Sequence, residues 1–223
     1  RSLHRTCRLL GDGVQGDYYS MFTGVELAGA TLGLIGLGRI GSRVARAARG
    51  LGMEVLAYDP YLNRELAREI GITPAESIDS VFAQADVVSL HVPLTPDTKH
   101  LVNAARLARM KRGAILINTA RGGLVDEDAL YEALKQRRLA GAALDCFAQE
   151  PVLTPSRFAD LDNVLLAPHS IAWTDELFRD IGRATCQVMI DLSQGRRPHG
   201  VLNPEVLERP GFLAKWRRYQ TWS

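Results

Sequence analysis

Three side chains in this sequence are of the types needed to polarise and protonate a carbonyl. His169 follows Pro168, Glu150 precedes Pro151, and Arg121 precedes Gly122-Gly123. A histidine, with an ordinary pKa near ~6.5, gives and takes protons at neutral pH. A carboxylate on its other ring nitrogen fixes the tautomer and favours the imidazolium, a part that suits Glu150. A guanidinium can hold a carboxylate in a bidentate fork and polarise the carbonyl beside it, a part that suits Arg121. With a hydride donor alongside, such a trio suits reduction of a 2-keto acid to a 2-hydroxy acid. Each residue alone has an ordinary explanation: a strand cap or phosphate ligand, a loop acid, a structural histidine. They stand 29 and 19 residues apart, so only the fold can bring them together.

A hydride donor has its own signature here. Gly36-Leu37-Gly38-Arg39-Ile40-Gly41 follows the apolar run 31–35 and opens a helical stretch at Arg39. In that context the first glycine permits a tight turn and the second lets backbone approach a pyrophosphate. The third lets helix pack on strand, and the helix N-terminus faces the phosphates. The next apolar run leads to Asp59, 18 residues after Gly41. A carboxylate there accepts from an adenosine ribose diol and repels a 2′-phosphate, which favours NAD over NADP. Arg64, five residues on, tempers that preference. Gly36, Gly38, Arg39, Ile40, Gly41 and Asp59 are therefore the expected cofactor residues.

The elements that must position these groups are legible as an alternation. Apolar runs at 31–35, 54–58, 87–91, 113–118, 140–145 and 163–167 read as strands. Helical stretches fall near 39–51, 63–70, 76–84, 103–110 and 126–137. Near-continuous apolar strands separated by helices predict a parallel sheet covered on both faces, an α/β, Rossmann-type doubly wound fold. Arg121, Glu150 and His169 each lie just past the C-terminal end of a strand, the edge where such sheets bind ligands. A last helix is expected at 174–194, with Thr174 as N-cap and Gly195 ending it. The expected divisions are an irregular arm over 1–23, the nucleotide-binding domain over 24–173, a helical segment over 174–203, and a tail over 204–223 broken by Pro204 and Pro210.

Composition narrows the classes. The 223 residues are 46% hydrophobic and 23% charged, which excludes a disordered or fibrous chain. Net charge is +2, which does not mark a dedicated nucleic-acid binder. Lys215, Arg217 and Arg218 read as a solvated tail. The three cysteines, at 7, 146 and 186, form no CxxC, so neither a disulfide framework nor a metal site is expected and a reducing, cytoplasmic compartment fits. Cys146 reads as a small packing residue. His4, His91, His100 and His199 read as structural or exposed. Trp173 is expected to pack at the start of the last helix or to wall a pocket. No apolar run of about 18 residues predicts a membrane span, and no signal peptide is visible. The chain opens on Arg1, so a start further upstream is expected.

These motifs resemble the D-isomer-specific 2-hydroxyacid dehydrogenases from about Phe22 to Pro204. The carrying stretches are Gly36–Gly41, Asp59, HVPLTPDT at 91–98, INTARGGLVDEDAL at 117–130, ALDCFAQEP at 143–151 and LAPHS at 166–170. The resemblance implies that Arg121 binds substrate carboxylate and carbonyl, that His169 is the acid/base and that Glu150 supports it. It implies that Pro93, Thr98, Thr119, Asp145, Arg121 and His169 line the NAD site, with Asp145 near the nicotinamide amide. It implies a homodimer through the cofactor domain, with the arm at 1–23 embracing the partner. It implies a second, substrate-binding domain, mostly absent here, toward which helix 174–194 returns; some apolar surface is then expected to be exposed. Family members often have glycine two residues after the catalytic histidine, where this chain has Ile171. An incomplete dehydrogenase is the leading reading. The alternatives are an NAD(H)-binding sensor or corepressor-like module and an inactive NAD-binding fragment.

Overall fold

The computed structural model describes residues 24–152 and 155–220. The arm expected over 1–23, with His4 and Cys7, lies outside the described residues, as does the last part of the expected tail. The described residues form two compact units divided between Ile171 and Ala172.

The first unit is built on seven parallel strands in the order β3-β2-β1-β4-β5-β6-β7. They are β1 (Thr31–Ile35), β2 (Glu54–Tyr58), β3 (Thr73–Pro74), β4 (Val87–Leu90), β5 (Ile115–Asn118), β6 (Gly141–Leu144) and β7 (Val164–Leu166). Five helices connect them: α1 (Arg39–Gly50), α2 (Arg64–Ile70), α3 (Ile78–Gln84), α4 (Ala104–Arg109) and α5 (Glu127–Lys135). Four helices start at side-chain caps that satisfy otherwise orphaned backbone N–H groups: Asn63, Ser77, Asn103 and Asp126. Ser77 and Ser80 cap each other reciprocally. The expected doubly wound fold is the observed one.

Successive residues of a strand face opposite sides of the sheet. Leu32, Leu34, Val55 and Ala57 therefore meet Ala45, Ala48 and Ala67 of α1 and α2 on one face. Ile35, Leu56, Val88, Leu90 and Leu116 meet Val81, Phe82, Leu107, Leu130 and Leu134 of α3 to α5 on the other. The buried positions of α1 are Gly41, Ser42, Ala45 and Ala48, all small, so this helix lies close to the strands.

β3 was not expected from the sequence. It pairs only Thr73 and Pro74 with β2, too short a run for any alternation to register. The fifth strand is shorter than its apolar run. Gly113 adopts φ +82° and Ala114 N–H donates to Lys111 O, so these two residues belong to a turn.

The second unit contains α6 (Asp175–Ser193), a 3₁₀ turn (Pro204–Glu208) and α7 (Pro210–Gln220). Thr174 caps α6 as expected, its hydroxyl accepting from Leu177 N–H at 3.1 Å. Gly195 follows the helix with φ +66°. The expectation of an unstructured tail fails for residues 204–220. Proline needs no N–H donor in a first turn, so Pro204 and Pro210 open helical segments rather than break them. Lys215 and Arg217 ride on α7, and Trp216 Nε1 donates to Leu192 O at 3.0 Å. Trp173 is exposed and meets Phe178 edge-on at 5.9 Å.

Candidate active site

In parallel strands all C-terminal ends lie at one edge, and each expected site residue follows one of these ends. The order of strands reverses between β1 and β4, the switch point at which such sheets bind ligands. Gly36 stands there with φ +96°, and a Cβ on it would lie 2.6 Å from His91 O. A Cβ on Gly41 would lie 2.3 Å from Gly36 O. Both glycines are thus required by the turn itself. Gly38 is different: a Cβ there meets nothing within 4 Å. It stands at the N-cap of α1, where no side chain caps the helix and no acid occupies the first turn. Open space, unclaimed N–H groups and the positive end of a 12-residue helix fit a pyrophosphate. Arg39 and Ile40 form the exposed first turn beside it.

Asp59, just past β2, ties this loop down. Its Oδ2 accepts from Leu37 N–H and its Oδ1 from Tyr61 N–H, both at 2.8 Å. Each oxygen keeps a second lone pair for a ribose hydroxyl. These residues together fit a dinucleotide. They would hold its pyrophosphate at Gly36–Gly41 and its adenosine ribose at Asp59.

Arg121, Glu150 and His169 lie past the ends of β5, β6 and β7 respectively. His169 Nδ1 and Glu150 Oε2 are 2.8 Å apart, and Glu150 Oε1 accepts from Phe147 N–H at 2.9 Å. Burial pushes the Glu150 carboxyl up. The bonds from His169 and Phe147, with the charges of His169 and Arg121, outweigh it and hold the group below the usual carboxylate range. The carboxylate is therefore ionised at neutral pH and able to orient the ring. Arg121 is exposed, with Nη1 donating to Ala120 O at 2.6 Å. Its charge reaches both Glu150 and Cys146, so the three sequence-distant residues do converge.

Sequence reasoning missed what holds this geometry. Asn118 is 1% exposed at the end of β5. Its Nδ2 donates to Arg121 O at 2.9 Å and its Oδ1 accepts from Ala120 N–H at 3.1 Å, which shapes the Thr119–Arg121 turn. The signal was one polar residue closing an apolar strand. Asp145, buried at the end of β6, accepts from Ser170 N–H at 2.9 Å and Ile171 N–H at 3.4 Å. It anchors the loop in which His169 adopts φ +56°. Between β4 and α4, Thr98 donates to Pro93 O at 2.7 Å and accepts from Thr95 N–H at 2.7 Å, so its hydroxyl braces its own loop. Gly122 allows the β5 and β6 loops to touch, since a Cβ on it would fall 1.8 Å from the Phe147 carbonyl carbon. Cys146 is 2% exposed, and its thiol is pushed up to about 11 by burial and by the charges of Glu150 and Asp145, against Arg121. His91 sits under the glycine loop, its Nε2 3.0 Å from Ser89 Oγ, and burial pushes its pKa down.

The glycine cradle at the switch point makes the first unit a dinucleotide-binding domain of the doubly wound class. A sequence profile of the D-isomer specific 2-hydroxyacid dehydrogenases, NAD binding domain, matches residues 2–170. The chain belongs to that family, and these residues are its NAD-binding domain. It is 43% identical over 182 residues to D-3-phosphoglycerate dehydrogenase of Methanocaldococcus jannaschii, covering 82% of this chain and 34% of that protein. It is 41% identical over 194 residues to glyoxylate reductase of Korarchaeum cryptofilum, covering 86% and 58% respectively. The crystal structure of D-lactate dehydrogenase with NAD+ from Lactobacillus jensenii superposes with a TM-score of 0.77 at 35% identity, covering 89% of this chain and 62% of that one. The chain thus spans about a third to three fifths of the length of these proteins. Among the described residues no helix is long and apolar enough to cross a membrane.

Proposed function

We propose that this chain is the cofactor half of an NAD-dependent D-2-hydroxyacid dehydrogenase, interconverting a small 2-hydroxy acid and its 2-keto acid. The observation that carries the reading is the 2.8 Å His169–Glu150 pair at the cofactor edge of the sheet, with the Arg121 charge beside it. NAD, when bound, supplies or accepts the hydride at C2. Arg121 binds the substrate carboxylate and draws electron density from the adjacent carbonyl. His169 gives its proton to the nascent alkoxide in reduction and takes it back in oxidation. Glu150 keeps the ring in the donating tautomer and stabilises the imidazolium between these steps. Pro93, Thr98, Thr119 and Asp145 help hold the cofactor, with Asp145 near the nicotinamide amide, and the cofactor domain pairs with a second copy. The free thiols of Cys146 and Cys186 fit a reducing, cytoplasmic compartment.

The test is NADH oxidation by the complete gene product across a panel of 2-keto acids. His169→Asn is expected to abolish turnover while NADH still binds; retained turnover overturns the assignment. NADH binding with no turnover of any keto acid favours the sensor reading instead. Sedimentation equilibrium tests the dimer.

A further inference from the structure

The cysteine spacing predicts no metal site, yet the fold gathers three potential ligands from two strand ends. One ligand atom each of Cys146, Glu150 and His169 lies within 4.8 Å of the other two. We propose that these three residues form a binding site for a zinc-class divalent cation. Cys146 lies two residues past β6 and Glu150 closes the same loop, while His169 lies three residues past β7. A thiolate, an imidazole and a carboxylate are the donor set that borderline-soft ions take, and hard ions such as Mg²⁺ do not.

Geometry allows it with small movements. Zinc bonds of about 2.0–2.3 Å in a tetrahedron put neighbouring ligand atoms roughly 3.4–3.6 Å apart. The sulfur lies within 4.8 Å of the other two ligand atoms, and the Nδ1–Oε2 pair must open slightly from 2.8 Å. Exposure is arranged for entry from one side. Cys146 is 2% exposed and forms the floor, while the His169 and Glu150 side chains are 46% and 34% exposed. Water supplies the fourth ligand, as in open zinc sites. The local field is mixed. Asp145 and Glu150 bring negative charge to the site, and the Arg121 guanidinium opposes a cation there. On binding, the Cys146 S–H proton leaves to solvent, the sulfur–metal bond forms and no electron is transferred. The ion then occupies the ring and the carboxylate together, so a metallated His169–Glu150 pair cannot exchange protons.

The inference rests on ligand placement alone and is tested without turnover. A Cys7→Ser/Cys186→Ser chain, with Cys146 as its sole thiol, is titrated with Cd²⁺ in the absence of nucleotide. The Cd–thiolate charge-transfer absorption is expected to saturate at one ion per chain and to be displaced by Zn²⁺ but not by Mg²⁺. In the same background His169→Gln and Glu150→Gln keep the thiol, and both are expected to weaken binding by at least about tenfold. Both side chains are solvent-exposed, so neither change threatens the fold; far-ultraviolet circular dichroism checks this. Absence of a saturable band overturns the proposal. So does unchanged affinity in both variants, which would mean a lone thiol, and so does displacement by Mg²⁺.

Discussion

Gly38 and Gly41 stand three residues apart in one loop, yet substitution by alanine is expected to separate them completely. Gly41→Ala places a methyl 2.3 Å from Gly36 O, a backbone atom that cannot rotate away. Overpacking of that kind costs about 1–3 kcal/mol. At roughly 2–4 °C per kcal/mol for a unit of this size, the unfolding midpoint falls by about 2–12 °C. Gly38→Ala meets nothing within 4 Å, and its φ of −75° with ψ −156° is extended backbone open to alanine. Reduced freedom of the unfolded chain gains about 0.4–1 kcal/mol, but Gly38 is the N-cap of α1, where alanine is poorer than glycine by a similar amount, so the midpoint is expected to stay within roughly 2 °C. The same methyl occupies the space a pyrophosphate needs against the N-terminus of α1. NADH affinity is therefore expected to fall at least tenfold, about 1.4 kcal/mol. Thermal unfolding by circular dichroism measures the first quantity. Energy transfer from the chain's three tryptophans to NADH measures the second. Wild-type NADH affinity in Gly38→Ala, or a midpoint loss matching that of Gly41→Ala, refutes the reasoning.

Asn118→Ala strands Ala120 N–H, at a cost of about 1–3 kcal/mol, and leaves Arg121 O only its 3.3 Å bond from Leu124 N–H, so the unfolding midpoint is expected to fall while NADH still binds. Phe158→Ala removes a ring that is 1% exposed and meets Tyr131 edge-on, at a cost of about 3–5 kcal/mol read by urea unfolding. Burial works to raise Asp86, but Lys111 Nζ and Thr31 N–H, at 2.8 Å each, hold it below the usual carboxylate range. A depressed carboxylate contributes stability that is fully present above its unfolded pKa and is lost as pH falls through the folded one. Stability is therefore expected to hold down to about pH 4 and to fall below it, with a shallower fall in Asp86→Asn.

The sheet was legible because every strand but β3 is a near-continuous apolar run, the pattern burial on both faces imposes. The cofactor loop was legible because its glycines answer to sterics, as the overlaps at Gly36 and Gly41 make plain. β3 escaped because two residues hold no period, and α7 because a proline reads as a stop in sequence whereas Pro210 is a first-turn residue. Asn118 and the anchoring bonds of Asp145 escaped for another reason. Their partners are backbone groups, and no residue type marks a backbone group as one that needs a bond.

The two apolar faces also differ in how much chain they require. The cluster against α1 and α2 draws its buried residues from Leu32 to Ile72 alone, whereas the opposite cluster runs from Ile35 to Val164. During synthesis the first can consolidate as soon as residues through Ile72 have left the ribosome; the second must wait for almost the whole unit. Asp59 belongs to the early part; Gly36 closes against His91 O, so the glycine turn waits for β4, and Arg121, Glu150 and His169 come later still. A nascent chain thus acquires its nucleotide cradle before its proton-transfer pair.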